Sequence, residues 1–332
     1  MTAAGSIRAA RITDRQALVE LSRQVHDSAE GFRRSLGVPA RSSAPPRLSL
    51  AALMPSWLPL RSPSVHLVAE WDGRLVGSCR AIEEPHRDDW VITELDAAAS
   101  PMAPEVRFAL LKAVIEEGAQ HNVARYHAAC ADVPENMELF GQNSFMAYAH
   151  EEIWYRPPGP LPGPPAATVE PMAPSTAADA WHLFDLWTHA TPPAIARIES
   201  YGAADWEPVG REGVVPRSSL NPLLHFSEVR GWLLPDGQRV AGFAQHGACR
   251  VGPHYLRFLV RDGTDGAAFL SGVLAATGGE ALAAGILSPV RTYESTGRLA
   301  AEAAGFEPVG EVSMLVREVR ATLRQPAMVP AL

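Results

Sequence analysis

The sequence is short of the residues that build disulfide or metal frameworks. Its 332 residues include only three cysteines, Cys79, Cys130 and Cys249, which lie far apart and form no Cys-x-x-Cys pair. An odd number at such spacings favours neither a disulfide framework nor a zinc site, and it indicates buried free thiols. We therefore expect no metal.

Lysine is almost absent, since Lys112 is the only one and arginine carries nearly all the positive charge. Together with abundant alanine, glycine and proline, this usage indicates a GC-rich bacterial genome. The net charge is −8 and there is no long basic run. A nucleic-acid partner normally requires a cationic stripe, so we expect none.

Long apolar runs are also missing. No stretch of about 18 uncharged apolar residues occurs, and the opening MTAAGSIRAARIT has no apolar core of a secretory signal. A hydrophobic content of 47% and a charged content of 20% are typical of a soluble globular protein. We expect a cytoplasmic protein without a membrane partner, long enough for two domains of about 150 residues.

The first half alternates strands and helices in a recognisable order. A strand at 7–13 precedes a helix, and a long segment at 37–64, rich in Pro, Ser and Arg, leads to a hairpin with an Asp72-Gly73 turn. A third meander strand, a helix, a strand, a second helix and a last strand follow. A connector as long as 37–64 is either a cover over a site or a poorly ordered surface loop.

A proline-rich segment, RPPGPLPGPPAAT at 156–168, separates this unit from the rest. Prolines at this density disfavour helix and sheet and favour an extended tether. We therefore predict a first domain at 1–155, a linker at 156–168, a second domain at 169–320 and a tail at 321–332.

The same order of elements repeats after the linker, with a long irregular segment at 191–224 in the place of 37–64. A repeat of this length with a matching insertion point indicates a duplicated domain. We predict an α/β (α+β) fold of two tandem domains, each a mixed, mainly antiparallel sheet flanked by helices.

One turn of the second half carries a possible anion site. The stretch 239–274 predicts two strands, an Arg-Asp-Gly-Thr-Asp-Gly turn and an Ala- and Leu-rich helix. Backbone amides at such a turn and helix start can hold a pyrophosphate, and glycines allow its close approach. The same pattern is also typical of an ordinary tight turn. The predicted cofactor-binding residues are Leu259, Val260, Arg261, Gly263, Thr264 and Gly266.

Meander strands followed by R/Q-x-x-G-x-G/A at a helix start resemble the acyl-CoA loop of the GNAT acyltransferase superfamily. Arg261 and Gly266 match two of its three specified positions, and Thr264 replaces a glycine. The tandem order of elements extends the resemblance to nearly the whole chain, in an arrangement similar to mycothiol synthase-like double-GNAT proteins.

The resemblance implies acetyl-CoA or another acyl-CoA as co-substrate, with its pantetheine between the fourth and fifth strands and its pyrophosphate on the following turn. It also implies direct attack by an amine, helped by a base and an acid. In the first half the corresponding turn has no glycine and contains Pro104 and Glu105, so we expect no ordinary CoA site there. Arg107 is interpreted as a surface arginine or an anion contact.

The family frequently supplies its acid as a tyrosine in the last helix, but Phe140 and Ala301 occupy those positions here. The predicted catalytic substitutes are His246, Tyr293 and Glu294, because a neutral His or a desolvated Glu can take a proton and a Tyr can return one. The predicted substrate-binding residues are Trp206, His225, Glu228 and Gln245, with Trp57 as a further pocket aromatic. Each of these is also explained as a structural polar or core residue.

A helix stripe formed by His182, Asp185 and His189 could supply metal ligands, but a site would need a further ligand. We interpret the stripe as a half-polar helix face beside apolar core.

The primary hypothesis is an acyl-CoA-dependent N-acyltransferase acting on a small-molecule amine, with its site in the second half. The alternatives are a CoA-independent GNAT-fold enzyme of a biosynthetic pathway using the same cleft, or a non-catalytic ligand-binding protein. The sequence leaves a monomer or a homodimer open.

Overall fold

The computed structural model describes residues 5–38, 64–84, 87–161, 168–171, 177–207 and 217–319. Trp57, most of the segment 37–64, residues 162–167 of the predicted linker, residues 208–216 of the second long segment and the tail 321–332 lie outside these residues.

Among the described residues, the first half has six strands and four helices, in the predicted order except that the helix predicted after the first strand is divided into α1 and α2. They are β1 (Ser6–Ala9), α1 (Arg15–His26), α2 (Ala29–Arg34), β2 (Ser64–Trp71), β3 (Arg74–Glu83), β4 (Asp89–Ala97), α3 (Ala103–Gln120), β5 (Arg125–Ala131), α4 (Pro134–Gln142) and β6 (Met146–Arg156). At the β2–β3 hairpin, Asp72 and Gly73 have φ of 49° and 72°. Two positive φ angles are what a tight two-residue hairpin requires, so the turn forms as predicted.

In the described residues, the second half repeats this order with one additional short helix between α7 and β11. Its elements are β7 (Glu170–Pro171), α5 (Ala177–Ala190), α6 (Pro193–Glu199), β8 (Phe226–Asp236), β9 (Arg239–Cys249), β10 (His254–Val260), α7 (Gly266–Thr277), α8 (Gly279–Ala284), β11 (Ile286–Arg291), α9 (Ser295–Ala303) and β12 (Glu307–Glu318). The additional helix is α8.

The described strands form a single 12-stranded sheet in the order β1-β2-β3-β4-β5-β12-β6-β11-β10-β9-β8-β7. The last strand of each half is exchanged: β12 pairs antiparallel with β5 of the first half, and β6 pairs antiparallel with β11 of the second. β12 and β6 also pair with each other at the centre. The predicted fold class is therefore confirmed, with the two sheets joined into one. The boundaries at 155 and 169 stay a prediction.

Apolar clusters among the described residues hold helices against this sheet. In the first half, Leu110 and Val114 of α3 pack on Leu95 and Phe140. In the second half, Phe269 and Leu270 of α7 pack with α9 on one face, and α5 packs on the other. A central cluster containing Ile153 and Met314 joins the halves at the exchanged strands.

Arg156 ends β6 and holds the start of the proline-rich segment. Its guanidinium donates to the carbonyl oxygens of Pro160 at 2.7 Å, Gly159 at 3.2 Å and Ala304 at 3.2 Å. The first residues of the predicted linker are thus fixed to the second half.

Candidate functional site

Each half contains a cleft where two parallel strands part. β4 and β5 pair from Asp89–Arg125 to Ile92–Ala128 and then diverge. β10 and β11 form only two pairs, His254–Ile286 and Tyr255–Leu287, before they diverge. Each cleft opens toward the turn that begins the following helix, α3 or α7.

The turn from Arg261 to Asp265 begins α7 in the second half. Gly263 has a φ of 84°, and the space where a Cβ would project is open. Asp265 caps the helix, because its carboxylate accepts from the Ala268 amide at 2.9 Å. Two other amides are already bonded, Arg261 to Ala241 O at 2.8 Å and Thr264 to Arg261 O at 3.1 Å. The amides of Gly266 and Ala267 in the first turn remain for an anion.

The other predicted cofactor residues have structural roles. Leu259 and Val260 lie in the core. Arg261 donates to Asp185 of α5 at 2.8 Å. A Cβ on Gly266 would lie 3.1 Å from the Cβ of Ala300, so this glycine lets α7 approach α9 closely. The set lies together at the predicted turn, and its cofactor role stays a prediction.

A buried ion pair bridges the cleft of the second half. Arg257 of β10 donates to Glu294 at 2.9 and 2.5 Å, and the two side chains are 1% and 7% exposed. Ser288 of β11 also crosses the gap and donates to Leu256 O at 2.8 Å. The space between β10 and β11 is therefore filled by the protein's own polar side chains.

The structure does not bring the three predicted catalytic residues together. Glu294 is held by Arg257, the register partner of Gln245 on β9, whereas His246 faces the opposite side of that strand. Tyr293 borders the central apolar cluster, and burial, with the charge of Glu294, raises its pKa.

His246 instead contacts another histidine, with its Nε2 2.9 Å from Nδ1 of His254. Burial, and then His254 and Arg230, lower the pKa of His246 to about 4. It is therefore neutral at pH 7, as expected of a base, but its ring is already hydrogen-bonded.

The predicted substrate residues are dispersed. Trp206 is fully buried among Trp187, Tyr201 and Phe243, in the core rather than in a cavity wall. Gln245 is fully buried, whereas His225 and Glu228 are exposed. Glu228 pairs with Arg230 at 2.8 Å. Their binding roles stay predictions.

The first-half turn differs from the second-half turn in chemistry. α3 begins at Ala103 and has Pro104 and Glu105 in its first turn, and the Met102 side chain before it is exposed. The interpretation of Arg107 as a surface residue is wrong: its side chain is buried and donates to Asn136 at 2.8 Å. Burial lowers the pKa of Arg107 to about 10. Its role is to join α3 to α4.

A small cavity lies at the first-half cleft, where pairing between β4 and β5 ends. Its interior has a volume of about 20 Å³, which is room for about one water molecule. Ile92 and Ala129 come from the first half, Arg217 and Leu223 from the second, and Met314 from the exchanged strand β12. The cavity is therefore built by both halves.

A buried charged network beside this cavity was not predicted. Arg217 donates to Glu84 at 2.8 Å, with a second contact to the same carboxylate, and to the ring of His127 at 2.9 Å. Burial, and then the charge of Arg217, lower the pKa of His127 to about 4. Arg217 is 133 residues from Glu84 and 90 from His127, so local spacing carried no signal for the group.

The network continues to the central strands. Arg291 of β11 lies 3.1 Å from Glu151 of β6 and 2.9 Å from Glu199, and all three side chains are almost fully buried. Ser219 donates its amide and hydroxyl to Glu151 at 2.8 and 2.5 Å. Burial raises the pKa of Glu199. These contacts hold the segment 217–223 over the central strands.

The predicted helix stripe of His182, Asp185 and His189 lies on α5. Within it, Asp185 lies 3.3 Å from His189 and also pairs with Arg261. In the described ranges, no group of three or more His, Cys, Asp or Glu residues could hold a metal ion. The three cysteines are free, with Cys79 and Cys130 buried. No described helix has the length and apolarity needed to span a membrane.

The sequence matches no family model and no curated protein. The structure is similar to that of a tandem GNAT protein from the clavulanic acid biosynthesis pathway, solved without acetyl-CoA. The TM-score is 0.54 and the identity 13%, over 95% of this chain and 98% of that one. It is also similar to a GCN5-related N-acetyltransferase from Sphaerobacter thermophilus, with a TM-score of 0.53 and 15% identity over 95% and 96% of the two chains. The chain therefore has the tandem GNAT fold.

Proposed function

We propose that the protein is an acyl-CoA-dependent N-acyltransferase acting on a small-molecule amine, with its site in the second half. The observation that carries the proposal is the early divergence of β10 and β11 toward the glycine turn that begins α7. In GNAT proteins, as the resemblance implies, this cleft and this turn hold the pantetheine and the pyrophosphate.

The phosphate end fits the co-substrate. Gly263 leaves its outer face open, and the amides of Gly266 and Ala267 begin a helix of 12 residues. A helix N-terminus with free amides attracts phosphate oxygens. The carboxylate of Asp265 is turned back onto the helix by its cap bond, which limits its repulsion of an anion.

The pantetheine would fit the inner end of the cleft only if the buried Arg257–Glu294 ion pair separated. An acyl-CoA bound here would supply an activated acyl thioester, and its pantetheine would take the space that Arg257 and Glu294 now bridge. Glu294 accepts from both Arg257 nitrogens and from the Arg291 amide at 3.1 Å. Once released from Arg257, Glu294 would be the carboxylate at this position able to take a proton from an amine. Tyr293, beside it, keeps its proton at neutral pH as an ordinary tyrosine does, and burial raises its pKa further, so it could return one.

Calorimetry with acetyl-CoA tests the proposal directly. We expect saturable binding that Arg261→Glu weakens at least tenfold, because the change places a negative charge at the phosphate turn and breaks the contact with Asp185. Arg250→Glu is the matched control, since Arg250 is exposed in the turn between β9 and β10, at the opposite end of β10 from Arg261. No binding at millimolar ligand, or equal affinities for the two variants, would reject the proposal.

The bridged cleft favours a second candidate, a CoA-independent GNAT-fold enzyme or a ligand-binding protein. Phe140 and Ala301, where the family places its acid, are both fully buried. Turnover of acyl-CoA with simple amines would remove this candidate, whereas absence of both binding and turnover would favour it.

A further inference from the structure

The second-half cleft is closed by an arginine that contacts both of its walls. Arg257 lies on β10 just beyond the last residue paired with β11, and its side chain is 1% exposed. Its Nη1 donates to Phe258 O of its own strand at 2.7 Å and lies 3.5 Å from Pro289 O of β11. Arg257 therefore takes backbone oxygens that a molecule between the two strands would otherwise contact.

The closed pair of Arg257 and Glu294 is not fully satisfied. Among the residues that the structure describes, no acceptor meets the buried Nε of Arg257. A buried N–H group without a hydrogen bond lowers stability. Glu294, by contrast, keeps partners without Arg257: its carboxylate accepts from the Arg291 amide at 3.1 Å and lies at the N-terminus of α9, which favours a negative charge. Separation of the pair therefore costs less than for an isolated buried ion pair.

A second partner for Arg257 lies in the central network. Glu151 and Glu199 are two buried carboxylates that share the guanidinium of Arg291, at 3.1 and 2.9 Å. Two buried carboxylates on one cation leave negative charge, which attracts a further cation strongly where the dielectric constant is low. The network can therefore receive the guanidinium of Arg257.

Arg257 and this second position lie on the same face of the sheet. Tyr255, two residues before Arg257, points to the same side of β10. Its hydroxyl shares a hydrogen bond of 2.9 Å with Ser218, and the next residue, Ser219, donates to Glu151. A rotation of the Arg257 side chain toward Glu151 therefore does not cross the sheet.

The charges at the two positions already act on one another. Burial opposes the rise in the pKa of Arg257, which comes first from Glu294 and also from Glu151. Burial raises the pKa of Glu199, and Arg257 is among the charges that lower it. Arg257 is thus attracted from both directions.

We propose that Arg257 is a two-position gate: paired with Glu294 it closes the gap between β10 and β11, and paired with Glu151 and Glu199 it leaves the gap open. The inference rests on the proposed function, since the gap is the one proposed to hold the pantetheine. A ligand that enters the gap binds the open position alone and shifts the population toward it.

Labelling of a thiol placed at the gap tests the gate on the full chain without CoA. Ser288 of β11 is fully buried, and its hydroxyl reaches Leu256 O across the gap at 2.8 Å. A Ser288→Cys thiol therefore reacts with iodoacetamide when β10 and β11 part. Cys79 and Cys130, buried in the first half, report global unfolding in the same sample. Mass spectrometry gives the labelling rate at each site.

In the Ser288→Cys background, we expect Glu199→Gln to slow labelling at the gap at least threefold, because the open position loses a charge while the closed pair is untouched. Glu152→Gln is the matched control, since Glu152 is also a carboxylate of the central strands but pairs with Arg298 of α9. Arg257→Met should speed labelling at least tenfold, because the closed pair is lost.

A labelling rate in Glu199→Gln that equals or exceeds the rate in Glu152→Gln would overturn the gate, as would an unchanged rate in Arg257→Met. If Arg257→Met does not fold, the Glu199→Gln comparison decides, because it leaves the closed pair in place.

Calorimetry with acetyl-CoA separates the gate from the proposed function. Arg257→Met should bind acetyl-CoA at least threefold more tightly than the unsubstituted protein, because closure no longer competes with the ligand. Equal affinities reject the gate. Binding to neither protein rejects the proposed function and leaves the gate to the labelling rates, whereas binding with labelling rates that do not respond rejects the gate alone.

Discussion

The two halves differ at the turn and at the cleft that the resemblance assigns to acyl-CoA. The second half has the glycine turn and helix start that suit phosphates, but Arg257 and Glu294 bridge its cleft. The first half has a small cavity at its cleft, and Pro104 and Glu105 stand in its turn. The two halves therefore differ both at the turn and at the cleft.

The sheet itself has not been divided in this way. β12 and β6 are exchanged at its centre, and each completes the sheet of the other half. The charged network around Arg291 and Glu151 crosses the same seam. The halves thus depend on each other for their structure.

Removal of β12 should have the largest effect, and it tests whether the two halves depend on each other for folding. A chain ending at Phe306 should lose cooperative folding, because β5 would lose seven paired residues and β6 would lose its pairing with β12, which leaves two strand edges unpaired at the centre of the sheet. Circular dichroism during thermal unfolding and size-exclusion chromatography measure the loss.

A chain ending at Val319 is the control, since it keeps the whole of β12. If the chain ending at Phe306 melted cooperatively near the temperature of this control, the exchanged strand would not be required for the fold.

The next largest effect concerns the charged network at the seam. Arg291→Leu should lower the free energy of unfolding by about 3–5 kcal/mol, because Glu151 and Glu199 would remain buried without this cation. Arg298→Leu, which removes a partly exposed pair with Glu152, should cost only about 0–1 kcal/mol. Urea unfolding of both variants measures the difference, and similar losses would mean that Arg291 is not held as the structure shows.

Patterning of the sequence predicted most of the fold and little of the site. Apolar alternation, the Asp72-Gly73 turn and the repeated order of elements are local signals, and the structure has them. The exchange of β6 and β12 left no such signal, because a strand that pairs with the other half has the same alternation as one that pairs with its own. The Arg257–Glu294 bridge was missed for a similar reason, since its partners are 37 residues apart.

The pKa values of one buried histidine from each half, His127 and His246, predict how stability depends on pH. Burial is the main cause that lowers the pKa of both His127 and His246 to about 4 from 6.5. In the unfolded chain these rings take up protons near pH 6.5, so the unfolded state binds more protons than the folded state between pH 6.5 and 4. The free energy of unfolding should therefore fall as the pH is lowered through this range, by up to about 3 kcal/mol per histidine.

Urea unfolding at pH 7 and pH 4.5 measures this slope. His127→Gln and His246→Gln should each flatten it, whereas His225→Gln, at an exposed position, should leave it unchanged. A slope flattened by only one of the two buried variants would show that the halves titrate differently.

The smallest expected effect comes from replacing one glycine with alanine in each half, Gly263 in the second and Gly141 in the first. Gly263, in the second-half turn, has a φ of 84°, whereas Gly141 lies at an exposed position of α4 in the first half. At both positions the space that a Cβ would enter is open, with no atom within 4 Å. Gly263→Ala should destabilise the protein by about 1 kcal/mol, because alanine is strained at positive φ. Gly141→Ala should stabilise it by about 0.5–1 kcal/mol, because a helical alanine restricts the unfolded chain more than glycine does. Opposite signs in urea unfolding would tie the second-half turn to its left-handed glycine, and a neutral Gly263→Ala would mean that the turn tolerates other backbones and is a poor frame for an anion.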